Sequence, residues 1–124
     1  MQRKKKSSRI AESVRKRALS YPETKEDFPW GESAFKVKGK TFIFMSDGDD
    51  GVSFSVKLPS SRDLAMALPG SRPTHYGLGS KGWVTLRPTA RTASDVLAFL
   101  IDESYRSVAP KRVVAALGAP PKLP

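Results

Sequence analysis

Cysteine is absent from this 124-residue chain. That excludes disulfides, thiolate metal sites and cysteine nucleophiles together. Histidine is nearly absent too: His75 stands alone, so a multi-histidine zinc site cannot form. No apolar run approaches the roughly 20 residues of a membrane-spanning helix. The basic start Met1-Gln2-Arg3-Lys4-Lys5-Lys6 has no hydrophobic stretch behind it and does not read as a secretory signal. The expectation is therefore a cytoplasmic protein without membrane association. Acid is scarce as well, with 12 Asp and Glu against 22 Lys and Arg, a net charge of +10.

A hydrophobic share of 39% in a chain of this length suits one domain with a modest core. The positive balance suits an anionic partner, nucleic acid above all. It is unevenly spread: residues 1–20 hold eight basic residues against Glu12 alone, so seven of the ten excess charges lie there. A basic tail is common. A basic folded face is the stronger sign of function.

Residues 1–6 read as a disordered basic arm, residues 7–117 as the domain and residues 118–124 as a flexible tail. Ser7 or Ser8 caps a first helix running to about Leu19, with Ile10, Val14 and Ala18 as its apolar stripe and Ala11 beside them. Pro22 ends it. The pattern then alternates. Phe35 and Val37 face one way, Lys38-Gly39 turns tightly into Thr41-Phe42-Ile43-Phe44-Met45, and Asp47-Gly48-Asp49-Asp50-Gly51 is a second turn. Val52, Phe54, Val56 and Leu58 point inward, while Ser53, Ser55 and Lys57 point outward. Ser60, with Asp63 as capping-box partner, opens a short second helix that Pro69-Gly70 closes. A Gly/Ser/Pro loop leads to a fourth strand at Trp83-Val84-Thr85-Leu86. Thr92 and Ser94 are candidate caps for a last strong helix whose buried face is Leu97, Leu100, Ile101, Tyr105 and Val108. A short helix is expected from Lys111 to Leu117. The order is α-β-β-β-α-β-α, an α+β fold with helices on one side of an antiparallel sheet.

Several patterns suggest chemistry and fail on context. Gly77-Leu78-Gly79-Ser80-Lys81-Gly82 has the letters of a dinucleotide fingerprint, but it opens a strand where the motif needs a helix N-terminus; it reads as a flexible loop. Asp47-Gly48-Asp49-Asp50-Gly51 is no EF-hand, because Leu58 stands where the bidentate acid belongs. No serine sits on a strained elbow and no carboxylates pair in an apolar setting, so no catalytic residue, metal or cofactor is assigned.

Four landmarks occur in order: Asp27-Phe28-Pro29-Trp30-Gly31, Val56-Lys57-Leu58-Pro59, Arg72-Pro73 and Gly82-Trp83-Val84-Thr85-Leu86. Their order and spacing resemble the MmcQ/YjbR family, small proteins usually described as DNA-binding. The resemblance covers residues 9 to 110 and implies a frataxin-like double-wing fold, a curved sheet flanked by terminal helices. It marks Lys57, Arg72, Trp83 and Tyr105 as recurrent positions. Iron binding in the frataxin manner needs an acidic helix face, whereas the first helix here is basic.

The expected activity is non-enzymatic binding of duplex DNA by a monomer, through the phosphate backbone and with little sequence choice. The candidate contacts are Arg3, Lys4, Lys5, Lys6, Arg9 and Lys16 on the arm and first helix, and Lys36, Lys38 and Lys40 around the hairpin. Edge lysines of this kind are also ordinary solvated residues. The alternative is a small-ligand or protein-binding cleft near Trp30, Lys57, Arg72, Trp83 and Tyr105. The simpler account of both tryptophans is that they hold loop to sheet.

Overall fold

The computed structural model describes residues 6–28, 32–48 and 51–121. Helix α1 (Lys6–Leu19) buries Ala11, Val14 and Ala18, with Ile10 half-buried beside them. That is the stripe its spacing predicts. Strands β1 (Thr24–Asp27), β2 (Ser33–Val37), β3 (Lys40–Gly48) and β4 (Gly51–Lys57) follow, then α2 (Arg62–Met66), β5 (Arg72–Pro73), β6 (Trp83–Leu86), α3 (Ser94–Val108) and α4 (Lys111–Ala115). The sheet is antiparallel throughout, in the order β1-β2-β3-β4-β6-β5.

Among the described residues six strands stand where the sequence predicts four. Both additions are edges. β1 is Thr-Lys-Glu-Asp and has no apolar residue to betray it, while β5 has two residues, one of them Pro73. Charges and proline on a sheet rim discourage pairing with another chain. The Lys38-Gly39 turn forms as expected, with both residues at positive φ (52° and 81°) as a type I′ turn requires.

A register shift between Phe35 and Lys36 leaves Phe42 without a partner on β2. It acts as a β-bulge, so Phe42 and Ile43 both turn inward and are fully buried. Ser104 of α3 closes the gap this opens. Its hydroxyl donates to the Phe42 carbonyl at 2.5 Å and accepts the Lys57 N–H at 2.8 Å, standing in for a missing rung of the β3–β4 ladder.

The helices cover one face, and their apolar side chains merge with those of β2, β3, β4 and β6 in one core. Tyr105 is fully buried there, stacked on Tyr21 (centroids 4.3 Å apart) and edge-on to Phe42 (5.2 Å), and its hydroxyl donates to the Pro22 carbonyl. Beside it Asp102, also buried, accepts from the Tyr21 hydroxyl (2.8 Å) and from Arg106 Nε (2.6 Å), with Arg17 4.0 Å away. Burial first, and the Asp102 carboxylate second, push the Tyr21 hydroxyl above its ordinary range, so it keeps its proton and donates.

Two capping expectations are corrected. α2 begins at Arg62 rather than Ser60, and no side chain of its own caps it. The Glu103 carboxylate reaches across from α3 to accept the Ser60 and Ser61 amides, both at 2.9 Å, and the Ser61 hydroxyl at 2.6 Å. A carboxylate at that end does what a capping box would. α3 is likewise uncapped by Thr92 or Ser94, since Ala93 holds the N-cap position and Thr92 Oγ1 accepts from the Thr89 amide.

Candidate nucleic-acid interface

The exposed side of α1 carries Arg9, Glu12, Ser13 and Lys16. Arg9 and Lys16 are seven residues apart, so they share one ridge and lie about 10 Å apart along the axis. Neither makes an ion pair among the described residues. The other two arginines of the helix are committed inward: Arg15 grips Glu26 in two places (2.9 and 3.1 Å), and Arg17 donates to the Tyr21 hydroxyl. Arg3, Lys4, Lys5 and Trp30 lie outside the described residues, as does the side chain of Lys6.

The hairpin lysines are less free than their sequence suggests. Lys36 pairs with Asp27 at 3.1 Å and Lys38 with Glu23 at 3.0 Å; Glu23 is shared with Arg112 of α4. The cause is β1, which runs beside β2 and brings these acids alongside. Lys40 is exposed and has no such partner among the described residues. The pairs are solvent-exposed and worth little to the fold. They nevertheless compete with a phosphate for the same ammonium groups.

Glu26 ties helix to sheet. Burial raises its carboxyl, but the hydrogen bonds from Arg15 and Ser33 (2.6 Å) and the Arg15 charge outweigh this and hold it below the ordinary carboxylate range. A carboxylate depressed in the fold contributes stability above its unfolded value, and that contribution is lost as pH falls through the folded one. Stability should therefore decline on acidification below about pH 4.5, and Arg15→Gln should flatten the decline. Urea midpoints of both proteins from pH 6 to pH 3 check this. Equal slopes would remove Glu26 as the cause.

Among the described residues no α-helix lies over the opposite face of the sheet. By register, Arg72, Thr85, Ser55, Phe44, Ala34 and Asp27 form one row across it, with Lys57 and Trp83 paired in the next. Trp83 is 7% exposed and packs on Phe44 (centroids 5.5 Å), so its indole holds the face together and offers no stacking surface. Lys57 and Arg72 do share this face. Tyr105 does not join them: it lies under the helices, on the other side of the sheet, because α3 buries it against Phe42 and Tyr21. Ser55, expected to face solvent, is buried. Its hydroxyl bonds that of Thr85 (2.8 Å), which bonds that of Thr74 (3.0 Å). Alternation marks Ser55 as outward but gives no hint that Thr85 of β6 will hold its hydroxyl.

The glycine-rich loop also differs from expectation. It contains a short 3₁₀ turn (Gly79–Lys81) and is cross-linked by backbone bonds, including Gly79 N–H to Thr74 carbonyl and Trp83 N–H to Leu78 carbonyl. An apolar cleft of about 340 Å³ lies elsewhere, along α3 between Pro59, Phe99 and Pro120. Its charged rim is already engaged, Glu103 by Ser60 and Ser61, Arg106 by Asp102 and the Gly118 carbonyl. Among the described residues no group of three or more His, Asp or Glu could hold a metal ion, and no helix is long and apolar enough to cross a membrane.

A six-stranded antiparallel sheet with helices on one face makes this an α+β protein of the YjbR fold. The YjbR family model matches residues 19–107, and the chain belongs to that family. Among solved structures it is similar to the Deinococcus radiodurans protein DR2400, a DUF419 domain (25% identity, TM-score 0.71, 91% of each chain covered). It also resembles a Pseudomonas syringae protein in fold (18% identity, TM-score 0.60), over 87% of this chain and 99% of that one. No curated protein matches it.

Proposed function

We propose that this YjbR-family protein binds duplex DNA without catalysis, holding the phosphate backbone along the α1 ridge and choosing little among sequences. The observation that carries the reading is the pair Arg9 and Lys16, exposed on one ridge and free of acidic partners among the described residues. The sequence just before them, Arg3, Lys4, Lys5 and Lys6, extends the same charge. Cations that neutralise phosphates release counterions and give affinity that is blind to base identity. The ridge has no Asn or Gln positioned to read base edges. Of the hairpin, Lys40 adds directly, while Lys36 and Lys38 contribute only where a phosphate displaces Asp27 and Glu23.

Titrating the full chain into labelled duplexes of unrelated sequence and base composition tests this. Affinities within a few-fold of one another are expected, all falling together in an Arg9→Ala/Lys16→Ala variant. A marked preference for one sequence, or affinities that ignore the double substitution, would refute it.

A further inference from the structure

The turn between β5 and β6 contains a residue that the fold does not need. Tyr76 is 99% exposed and sits at φ 62°, a left-handed conformation that non-glycine residues adopt with strain. Water opposes the exposed ring and sterics oppose the backbone, yet the turn holds both. Leu78 N–H bonds the His75 carbonyl, Gly79 N–H the Thr74 carbonyl, and Ser80 Oγ the Gly77 carbonyl. The turn is also folded down on β5: a Cβ at Gly79 would stand 2.8 Å from that of Pro73. An aromatic ring is thus presented to solvent from a braced support.

The stretch of chain around it is cationic. Residues 64–94 include Arg72, Lys81, Arg87 and Arg91 and no Asp or Glu. Arg72 and Lys81 are exposed, Lys57 is half-exposed on the neighbouring row, and none of the three is ion-paired among the described residues. The hydroxyl row adds a donor. Ser55, Thr85 and Thr74 carry one proton each, and the two bonds between them use two, so one O–H remains for an outside acceptor. Thr85 is the register partner of Arg72, so the hydroxyl row and Arg72 lie on one face of the sheet. An anionic oxygen suits both.

We propose that this surface binds single-stranded nucleic acid, with a base stacked on Tyr76 and the adjoining phosphates held by Arg72, Lys81 and Lys57. An exposed ring among unpaired cations is the combination that grips a single strand, whose bases are free to stack. A single ring is too small an apolar patch to dock a folded protein. The site is separate from the α1 ridge and does not depend on the duplex reading.

The test uses the full chain, labelled oligothymidylate, an abasic strand of equal length and a duplex, read by fluorescence anisotropy. Tyr76→Ala should weaken oligothymidylate binding about fivefold or more, Tyr76→Phe should preserve it, and the abasic strand and duplex should be indifferent to both. Arg72→Ala should reduce the salt dependence on both single strands. Tyr76→Gly, which relaxes the left-handed backbone, should lose oligothymidylate affinity with an unchanged or higher Tm, separating binding from folding. The proposal is overturned if the wild-type chain does not bind oligothymidylate, if Tyr76→Ala leaves that affinity intact, or if it weakens the abasic strand equally. Arg9→Ala/Lys16→Ala, run in parallel, reports on the duplex reading alone.

Discussion

Asp102→Ala is expected to destabilise the protein by about 3 kcal/mol, the low end for breaking a buried charge pair. The carboxylate accepts from the Tyr21 hydroxyl and Arg106 Nε, and Arg17 lies 4.0 Å away. Its removal strands a buried phenol and leaves two guanidinium groups facing each other across a cavity. The estimate stays at the low end because the Arg106 and Arg17 side chains keep 22% and 36% of their exposure and can recover some hydration. For a domain of this size the loss lowers Tm by roughly 10 °C or more. Calorimetry of the two proteins decides it; a change below about 1 kcal/mol would mean that water replaces the carboxylate without cost.

Ser104→Ala is the second large effect, about 2 kcal/mol. The substitution deletes only an oxygen, so packing loss is minor. The effect comes from leaving the Lys57 N–H and the Phe42 carbonyl unpaired in the interior, where each made its bond to this hydroxyl. Because the bulge at Phe42 depends on that bridge, amide exchange at Lys57 should accelerate more than at Val56, its neighbour in the regular ladder. Equal acceleration at both would show that Ser104 stabilises the fold as a whole and not the bulge.

Much of the fold is legible in the sequence where burial imposes a period. The i, i+4 stripe of α1 has one physical solution, and the structure adopts it; β4 buries Val52, Phe54 and Val56 as its alternation requires, with Ser55 buried as well. The Lys38-Gly39 turn is legible because few residues tolerate positive φ. What escapes is whatever burial does not pattern. β1 is an edge strand of polar residues, stabilised by its partner and not by its own side chains. β5 is too short to have a period. The Phe42-Ile43 bulge turns two successive apolar residues to one face, which reads in sequence as a plain apolar run. Glu103 capping α2 is a contact across more than forty residues and has no local signature.

The candidate site follows the same division. Arg9 and Lys16 are found by helical spacing, and the structure leaves them exposed and unpaired among the described residues. Lys36 and Lys38 look equally free in sequence, but their acids, Asp27 and Glu23, lie at the end of β1 and just before its start, and that strand leaves no apolar trace. Tyr105 is placed by the core, where its hydroxyl has a backbone partner. Tyr76 is the reverse case, since nothing in the sequence says that a tyrosine beside a glycine will be held out in solvent.

If α1 grips phosphates, the salt dependence of duplex binding reports it. The slope of log affinity against log salt should fall in magnitude by about 1.8 between the wild-type chain and Arg9→Ala/Lys16→Ala, at 0.9 per lost phosphate contact. Lys36→Ala/Lys38→Ala should change it less, because both ammonium groups already have carboxylate partners. An unchanged slope in the α1 variant, or a larger change in the hairpin variant, would show that phosphates are not held by α1.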